Sequence, residues 1–160
     1  MSEKNIIQKK PDSALLLLGC PQVPIQTSAA LYLSGMLRRN NVDVTIAGTK
    51  SARALVEMAD IDAQYTGKLQ DIDRIIDHMS DGDFDADVSF VFVHNEAGVA
   101  YAATVQAISS GNVIAVVFGS ETQARTSELD EIGCPAVTAQ GSHNPLPLKR
   151  KIDGVLSWDA

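Results

Sequence analysis

The sequence has no excess of basic residues and no long apolar run, and these two absences bear on its function. It carries 13 Lys and Arg against 20 Asp and Glu, a formal net charge of −7, and its isoelectric point is near 4.8. Binding to nucleic-acid phosphates needs clustered Lys and Arg, so we predict no nucleic-acid partner. No apolar run approaches the roughly 18 residues of a membrane span, so we predict no direct membrane insertion.

Cysteine and aromatic residues are also scarce. Two cysteines in 160 residues are typical of a reducing compartment and not of a disulfide scaffold. The first ten residues lack the apolar centre of a secretory signal, so the sequence predicts a cytoplasmic protein. Aromatic residues make up 5% of the chain, and its core must therefore consist mainly of Leu, Val, Ile and Ala. The length suits one domain without disulfide or metal staples.

What the sequence does contain is a regular alternation of apolar runs, short loops and helix-like segments. Apolar runs at residues 14–18, 42–47, 88–93 and 113–118 each end in a loop of small and polar residues, and a helical pattern follows. This alternation is typical of a mostly parallel sheet with helices on both faces. The sequence predicts a flexible polar leader over residues 1–12, with a short apolar pair at Ile6 and Ile7, and a single α/β domain over 13–160. The fold we expect is a three-layer α/β/α sandwich with a doubly wound sheet, similar to Rossmann or flavodoxin domains.

Several local features depend on weaker signals. Residues 61–67 could hold a short edge strand or be a loop. Apolar residues between 69 and 79 recur at helical spacing and indicate an amphipathic helix. The four Asp residues between 81 and 87 lack the spacing of an EF-hand, so a solvated turn is favoured. Helix caps are expected at Thr27 or Ser28 for the first helix and at Ser51 for the second.

The candidate site residues come from the loops that follow the strands. Ligands of doubly wound sheets bind just beyond the carboxyl ends of the strands, and these loops should meet at one edge of the sheet. The candidates are Cys20, Pro21, Gln22, His94, Asn95, Glu96, Gly119, Ser120, His143 and Asn144. Cys134 precedes a late strand and should lie at the opposite edge, too far from Cys20 for a disulfide.

The chemistry of these candidates is left open by their spacing. Cys20 would favour the thiolate if it lies at or near a helix N-terminus, and a half-buried structural thiol is the alternative. Cys, His and Glu side chains can ligate metals or face a corrinoid, but no tight metal-site spacing is present, and we predict no metal. The loop after the first strand is neither G-x-G-x-x-G nor a Walker sequence, and no G-x-S-x-G elbow occurs. The loop at Gly119 and Ser120 could hold an anion at a helix N-terminus, or Ser120 could simply cap that helix.

Three segments resemble a small family of archaeal proteins, found chiefly in methanogens, that carries a domain of unknown function. These segments are residues 15–20, residues 27–38 and Phe90-Val91-Phe92-Val93-His94-Asn95, and the resemblance covers residues 13–141. It implies a three-layer α/β/α fold, an archaeal cytoplasm and a link to methanogenesis, most plausibly to the corrinoid-dependent methyl-transfer machinery. It supplies no catalytic residues. A weaker likeness is to small sulfur-relay proteins, whose cysteine usually lies in another loop.

Two functions follow. The first is an accessory or protective binding protein that docks through the carboxyl edge of its sheet on a partner enzyme or its cofactor. The resemblance implies a corrinoid-dependent methyltransferase complex, which can be membrane-associated, as that partner. We expect no tightly bound cofactor of its own; a partner's corrinoid and a homodimer stay open. The second is a thiol-dependent small-molecule or sulfur-transfer enzyme that uses Cys20. No sequence pattern pairs a candidate nucleophile with a candidate general base. We therefore expect a binding protein rather than an enzyme.

Overall fold

The computed structural model describes residues 6–158, in which strands and helices alternate along the chain. The strands are β1 (Ser13–Leu18), β2 (Asp43–Gly48), β3 (Lys68–Asp71), β4 (Val88–Val93), β5 (Asn112–Val117) and β6 (Ala136–Thr138). The helices are α1 (Ile25–Arg39), α2 (Lys50–Ala59), α3 (Ile72–Ser80), α4 (Glu96–Ile108), α5 (Thr122–Glu131) and α6 (Leu146–Val155). The six strands form one parallel sheet in the order β3-β2-β1-β4-β5-β6. The predicted doubly wound fold is confirmed.

The two faces of the sheet explain why β1 is a continuous apolar run from Ala14 to Leu18. Successive side chains of a strand point to opposite faces. Leu16 and Leu18 pack in one core with α1, α2 and α6, whereas Leu15 and Leu17 pack in a second core with α3, α4 and α5. Because helices cover both faces, every position of β1 from Ala14 onward must be apolar.

The strand order reverses between β1 and β4. From β1 the chain moves outward to β2 and β3, and from β4 it moves outward in the other direction to β5 and β6. At such a reversal the flanking loops diverge and leave a crevice beyond the carboxyl ends of the strands. The register pairs Leu17 with Val91. Cys20 and His94 each lie three residues further on, so the register brings them to the same level at this crevice.

The part of the predicted leader that the structure describes lies against the domain. Ile7 is buried in the core beneath α1, α2 and α6. The backbone N–H groups of Asp12 and Ser13 donate to Asp87 Oδ2 at 2.8 and 3.3 Å. The predicted apolar pair therefore contributes to the core through Ile7; residues 1–5 of the leader and the last two residues of the chain lie outside the described range.

The structure resolves the ambiguous segment before α3. Residues 61–67 form a loop, and the edge strand β3 begins only at Lys68. Leu69 therefore belongs to a strand and not to the amphipathic helix, which starts at Ile72. Asp71 caps the first turn of α3, because its Oδ1 accepts from the N–H groups of Asp73 and Arg74 at 3.0 and 3.1 Å.

The predicted helix caps differ from those observed. Helix α1 begins at Ile25 after Pro24, and no side chain caps it, so neither Thr27 nor Ser28 has that role. Helix α2 is capped by Thr49, whose Oγ1 accepts from the N–H of Ala52 at 3.3 Å, instead of by Ser51. Between residues 6 and 158 no helix combines the length and the apolar character that crossing a membrane requires.

Candidate functional site

The loops after β1 and β4 are joined by a hydrogen bond across the crevice. His94 Nε2 lies 2.9 Å from the backbone oxygen of Cys20. Because a carbonyl oxygen only accepts, Nε2 carries the proton in this contact. The imidazole also lies on the ring of Phe118, with the two ring centroids 5.5 Å apart. His94 thus fixes the loop that carries Cys20 at the reversal point of the sheet.

The Cys20 thiol is exposed but lacks the surroundings of an activated nucleophile. His94 donates to the Cys20 carbonyl oxygen, and within residues 6–158 no hydrogen bond joins either ring nitrogen of His94 to the thiol. Helix α1 starts only at Ile25, beyond a turn closed by the N–H of Gln22 on the Cys20 oxygen at 2.9 Å. The prediction placed Cys20 at or near a helix N-terminus; the structure places it five residues before the first residue of α1.

The loop between β6 and α6 covers the start of α1. Gly119 and Gly141 form an antiparallel bridge with N–H to O distances of 2.8 and 2.9 Å, and the N–H of Ile25 donates to the oxygen of Ser142 at 3.2 Å. Rossmann domains hold a pyrophosphate at the N-terminus of the first helix. Here a backbone oxygen already occupies the first N–H group of that helix, which disfavours a dinucleotide.

Gly119 is suited to this bridge by its conformation. Its φ is +98°, which side chains other than glycine rarely adopt. A Cβ there would lie 3.5 Å from His94 Cβ and 3.7 Å from Val23 Cγ2. These are ordinary van der Waals distances, so it is the positive φ and not a lack of space that favours glycine where the loops after β1, β4 and β5 meet.

Several predicted site residues hold helices instead of facing the crevice. Asn95 Oδ1 accepts from the N–H of Gly98 at 3.0 Å and caps α4. Asn144 Oδ1 accepts from the N–H of Leu146 at 3.2 Å, at the start of α6. Ser120 is exposed and does not cap α5, whose N-cap is Glu121 without a side-chain bond.

Glu96 is directed toward α5. Its Oε1 lies 4.0 Å from Nη1 of the buried Arg125, whose Nη2 lies 3.0 Å from Glu128. Arg125 Nε has no partner in the described part of the chain. Glu96 therefore belongs to a contact between α4 and α5.

The remaining predicted residues form an open surface at the carboxyl edge. Cys20, Gln22 and His143 are exposed, and Pro21 is half-buried beside them. Within residues 6–158 no group of three or more His, Cys, Asp or Glu side chains could hold a metal ion. The edge therefore presents a thiol, an amide and an imidazole separately to solvent, on loops that backbone bonds hold in place.

Sequence reasoning missed Gln26, which is 1% exposed in the first turn of α1. Its Nε2 donates to the oxygen of Gly19 at 3.0 Å, whereas its Oε1 has no partner within residues 6–158. A buried polar atom without a partner costs about 1–3 kcal/mol, and the other end of the Gln26 amide holds the start of the Cys20 loop through Gly19. The signal was present in the sequence, because Gln26 lies on the helical stripe of Ala29, Ala30 and Leu33, where an apolar residue is expected.

Cys134 lies at the opposite edge, as the topology predicts. It is buried, and its Sγ is 3.9 Å from the oxygen of Val113 near the start of β5. Burial raises the pKa of the Cys134 thiol, and a backbone contact with Ala115 offsets this only in part. Both cysteines are free, and Cys134 is a packing residue.

We expect a thiol reagent to separate the two cysteines. In the native protein iodoacetamide should modify Cys20 at least about 100-fold faster than Cys134, because reaction at Cys134 requires a local opening and a less available thiolate. Digestion and mass spectrometry after timed quenching measure both rates, and urea-unfolded protein serves as the control in which the rates converge. Similar rates in the native protein would contradict the burial of Cys134.

The comparison with known families rests on nearly the whole domain. The profile of a family described as a domain of unknown function, DUF1890, matches residues 15–155. The chain belongs to this family. A relative from Methanocaldococcus jannaschii (strain ATCC 43067 / DSM 2661 / JAL-1 / JCM 10045 / NBRC 100440), the uncharacterized protein MJ0452, is 32% identical over 148 residues, which are 91% of this chain and 97% of the relative. The predicted resemblance to an archaeal family with a domain of unknown function is confirmed, and the link to methyl transfer stays a prediction.

Solved structures extend this likeness to the fold. The structure of MT0777 is 31% identical and superposes with a TM-score of 0.82 over 88% of this chain and 94% of that one. A dodecameric FMN-dependent UbiX-like decarboxylase from Escherichia coli O157:H7 is 14% identical, with a TM-score of 0.58 over 89% of this chain and 92% of that one. At such low identity the second likeness shows a shared fold and nothing about the ligand of the DUF1890 chain.

Proposed function

We propose that this chain is a binding protein that docks through the carboxyl edge of its sheet on a partner enzyme or on that enzyme's cofactor. The observation that supports this most directly is the use of His94, which bonds the backbone of Cys20 and not its thiol. The first N–H of α1 is likewise taken by Ser142. The His94 imidazole, which a thiol enzyme would use, and the first N–H of α1, which a dinucleotide would use, hold the loops together instead. The carboxyl edge is then a fixed surface on which Cys20 and His143 are exposed.

As partner we propose the corrinoid-dependent methyl-transfer machinery of an archaeal cytoplasm. The choice rests on the resemblance to proteins of methanogens, and the relative from Methanocaldococcus jannaschii supports its archaeal part. The exposed side chains fit this chemistry, because imidazole and thiolate are donors that transition metals accept. The net charge of −7 favours a neutral or basic patch on the partner.

A binding titration tests this proposal. Two probes are used under anaerobic conditions: a purified corrinoid protein of the methyl-transfer system, and hydroxocobalamin as the free cofactor. We expect His143→Ala to weaken binding of the corrinoid protein at least about tenfold, since an interface contact at a metal or a buried polar group contributes 1.4 kcal/mol or more. The visible spectrum of the corrinoid reports whether cobalt gains a nitrogen or sulfur ligand.

His78→Ala is the matched control, because His78 lies on α3 in a cleft with Lys68 and Arg74 and not in the loops of the site. It should bind like the wild type. Binding that is absent in the wild type, or that is unchanged by both His143→Ala and Cys20→Ser, would overturn the proposal.

A thiol-dependent enzyme is the second candidate, and the exposure of Cys20 at the reversal point of the sheet favours it. In a sulfur-transfer enzyme the Cys20 thiolate would attack the outer sulfur of a donor such as thiosulfate, the S–S bond of the donor would break, and sulfite would leave, so that Cys20 carries a persulfide. Intact-mass measurement detects that adduct, and Cys20→Ser removes it. An adduct that is passed on to an acceptor thiol, with partner binding unaffected by Cys20→Ser, would favour the enzyme over the binder.

A further inference from the structure

Four large apolar side chains are exposed on α2 and in the loop that follows it. Leu55 and Met58, one turn apart on α2, are 42% and 79% exposed, and Ile61 and Tyr65 in the loop are 88% and 54% exposed. We call these four residues the α2 patch. Large exposed apolar patches mark interaction sites, and Met and Tyr are enriched in protein interfaces.

The loop of the α2 patch is held rigidly from within. The Asp60 carboxylate is buried and accepts three backbone N–H groups, those of Gln64 at 2.9 Å, Tyr65 at 3.0 Å and Thr66 at 2.9 Å. One side chain thus closes the loop on itself. Ile61 lies inside this closed loop and still faces solvent.

Helix α1 holds the same loop from outside. Arg38 Nη1 donates to the oxygens of Ala63, Gln64 and Thr66 at 3.3, 3.0 and 2.6 Å. Tyr65 packs on Gly35, where an added Cβ would lie 2.9 Å from Tyr65 Cδ1. A surface that is already ordered loses little conformational entropy on binding, so the apolar side chains are presented in a form ready for a partner.

The charges beside the α2 patch are of both signs. Arg38 and Arg39 line a cleft of about 530 Å³ with Tyr65, and Glu57 and Asp62 neighbour Met58 and Ile61 in the chain. All four are exposed. Within residues 6–158, Arg39, Glu57 and Asp62 form no ion pair. Exposed charges of both signs therefore lie beside members of the α2 patch, although the whole chain has a net charge of −7.

We infer that the α2 patch is the interface of a two-fold homodimer of this chain. A two-fold interface uses the same surface of both copies and must therefore be complementary to itself. Apolar side chains meet this condition, and so does a rim that carries both signs of charge, because an arginine of one copy can face an acid of the other. The loop joins the C-terminal end of α2 to the start of β3, so it lies toward the amino edge of the sheet. The dimer therefore leaves the carboxyl edge free, and the inference is independent of the proposed function.

Sedimentation velocity and light scattering on the full chain test the interface. The wild type should be a dimer at high-micromolar concentration, and Ile61→Asp should raise the dissociation constant at least about 30-fold, as expected for a central apolar contact. Leu146→Asp is the matched control, because Leu146 is also apolar and 53% exposed but lies at the start of α6. A wild type that stays monomeric overturns the inference. So does a dimer that Ile61→Asp leaves intact, or one that Leu146→Asp disrupts as strongly.

A charge exchange tests the two-fold arrangement itself. In a dimer of Arg39→Glu, the new acid of each copy faces the acids of the other copy. In a dimer of the double variant Glu57→Arg, Asp62→Arg, the new arginines of each copy face Arg39 of the other copy. Like charges repel in both cases, so each variant should dimerise more weakly than the wild type. In a mixture of the two, every cation faces an anion again, and a heterodimer should form at a lower concentration than either variant's own dimer. A mixture that behaves as the sum of its parts would place the charges outside the interface and count against the arrangement. Circular dichroism of each variant shows that the fold is retained.

Discussion

Replacing Gly111 by alanine is expected to lower the free energy of unfolding by about 3 kcal/mol or more, since overpacking against backbone that is fixed in place exceeds the usual cost of an added methyl group. A Cβ at Gly111 would lie 2.1 Å from the oxygen of Ala86, and 2.7 and 2.9 Å from the oxygen and carbonyl carbon of Asp87. These atoms lead directly into β4. They cannot retreat, because the N–H of Asn112 donates to the same Asp87 oxygen at 2.9 Å where β4 and β5 begin to pair.

Urea unfolding followed by circular dichroism measures this effect. The matched control is Gly19→Ala, because an added Cβ at Gly19 meets nothing within 4 Å, and its stability should stay within about 1 kcal/mol of the wild type. If Gly111→Ala unfolds within that same range, the close approach of the two chain segments at the amino ends of β4 and β5 is wrong.

Asp60→Asn should also destabilise the protein, by about 3 kcal/mol, which corresponds to a loss of roughly 6–12 °C in Tm for a domain of this size. Asp60 is buried, and its two carboxylate oxygens accept three N–H groups. An asparagine keeps one acceptor oxygen and turns an N–H₂ group toward backbone donors. At least one of the three N–H groups then has no acceptor, and the bonds that remain lose the contribution of the charge.

The same carboxylate predicts a dependence of stability on pH. Burial by itself would raise the pKa of Asp60, but the hydrogen bonds from Thr66, Tyr65 and Gln64 outweigh it and lower the pKa below its ordinary value of 3.8. A group whose pKa is lower in the folded state stabilises the fold fully above the unfolded pKa. That contribution is lost as the pH falls from the unfolded pKa through the lowered folded one.

Thermal unfolding between neutral pH and pH 2 checks both expectations. The difference in Tm between wild type and Asp60→Asn should be largest near neutral pH and should shrink on acidification below about pH 4. Asp77→Asn, an exposed substitution on α3, is the control and should unfold with the wild type throughout. A gap that widens in acid would show that Asp60 is not held as the charged form.

The sequence by itself determined the architecture and the edge at which the site lies. The run at β1 is apolar from Ala14 to Leu18, and the run at β4 is apolar apart from Ser89, because helices cover both faces of a parallel sheet. The chain direction of parallel strands then placed Cys20 and His94 at one edge and Cys134 at the other. These conclusions need only local patterns and a rule of topology.

The sequence could not determine which of these edge residues meet. Cys20 and His94 meet because the register of β1 and β4 sets Leu17 beside Val91, three residues before each of them. That register depends on packing between segments more than 70 residues apart in the chain. Asn95 and Asn144 have the same polar character as His143, and only the tertiary structure shows that Asn95 caps α4 and that Asn144 accepts from the N–H of Leu146 at the start of α6.

The loop over residues 61–67 shows the same limit. Its apolar residues suited an edge strand equally well, because a strand and a loop differ in where the backbone hydrogen bonds go. Here they go to the carboxylate of Asp60 and to the guanidinium of Arg38. Arg38 comes from another helix, and local propensity carries no information about a donor that only the folded chain brings near. The tertiary structure alone therefore decided that this segment is a rigid loop with Ile61 facing solvent.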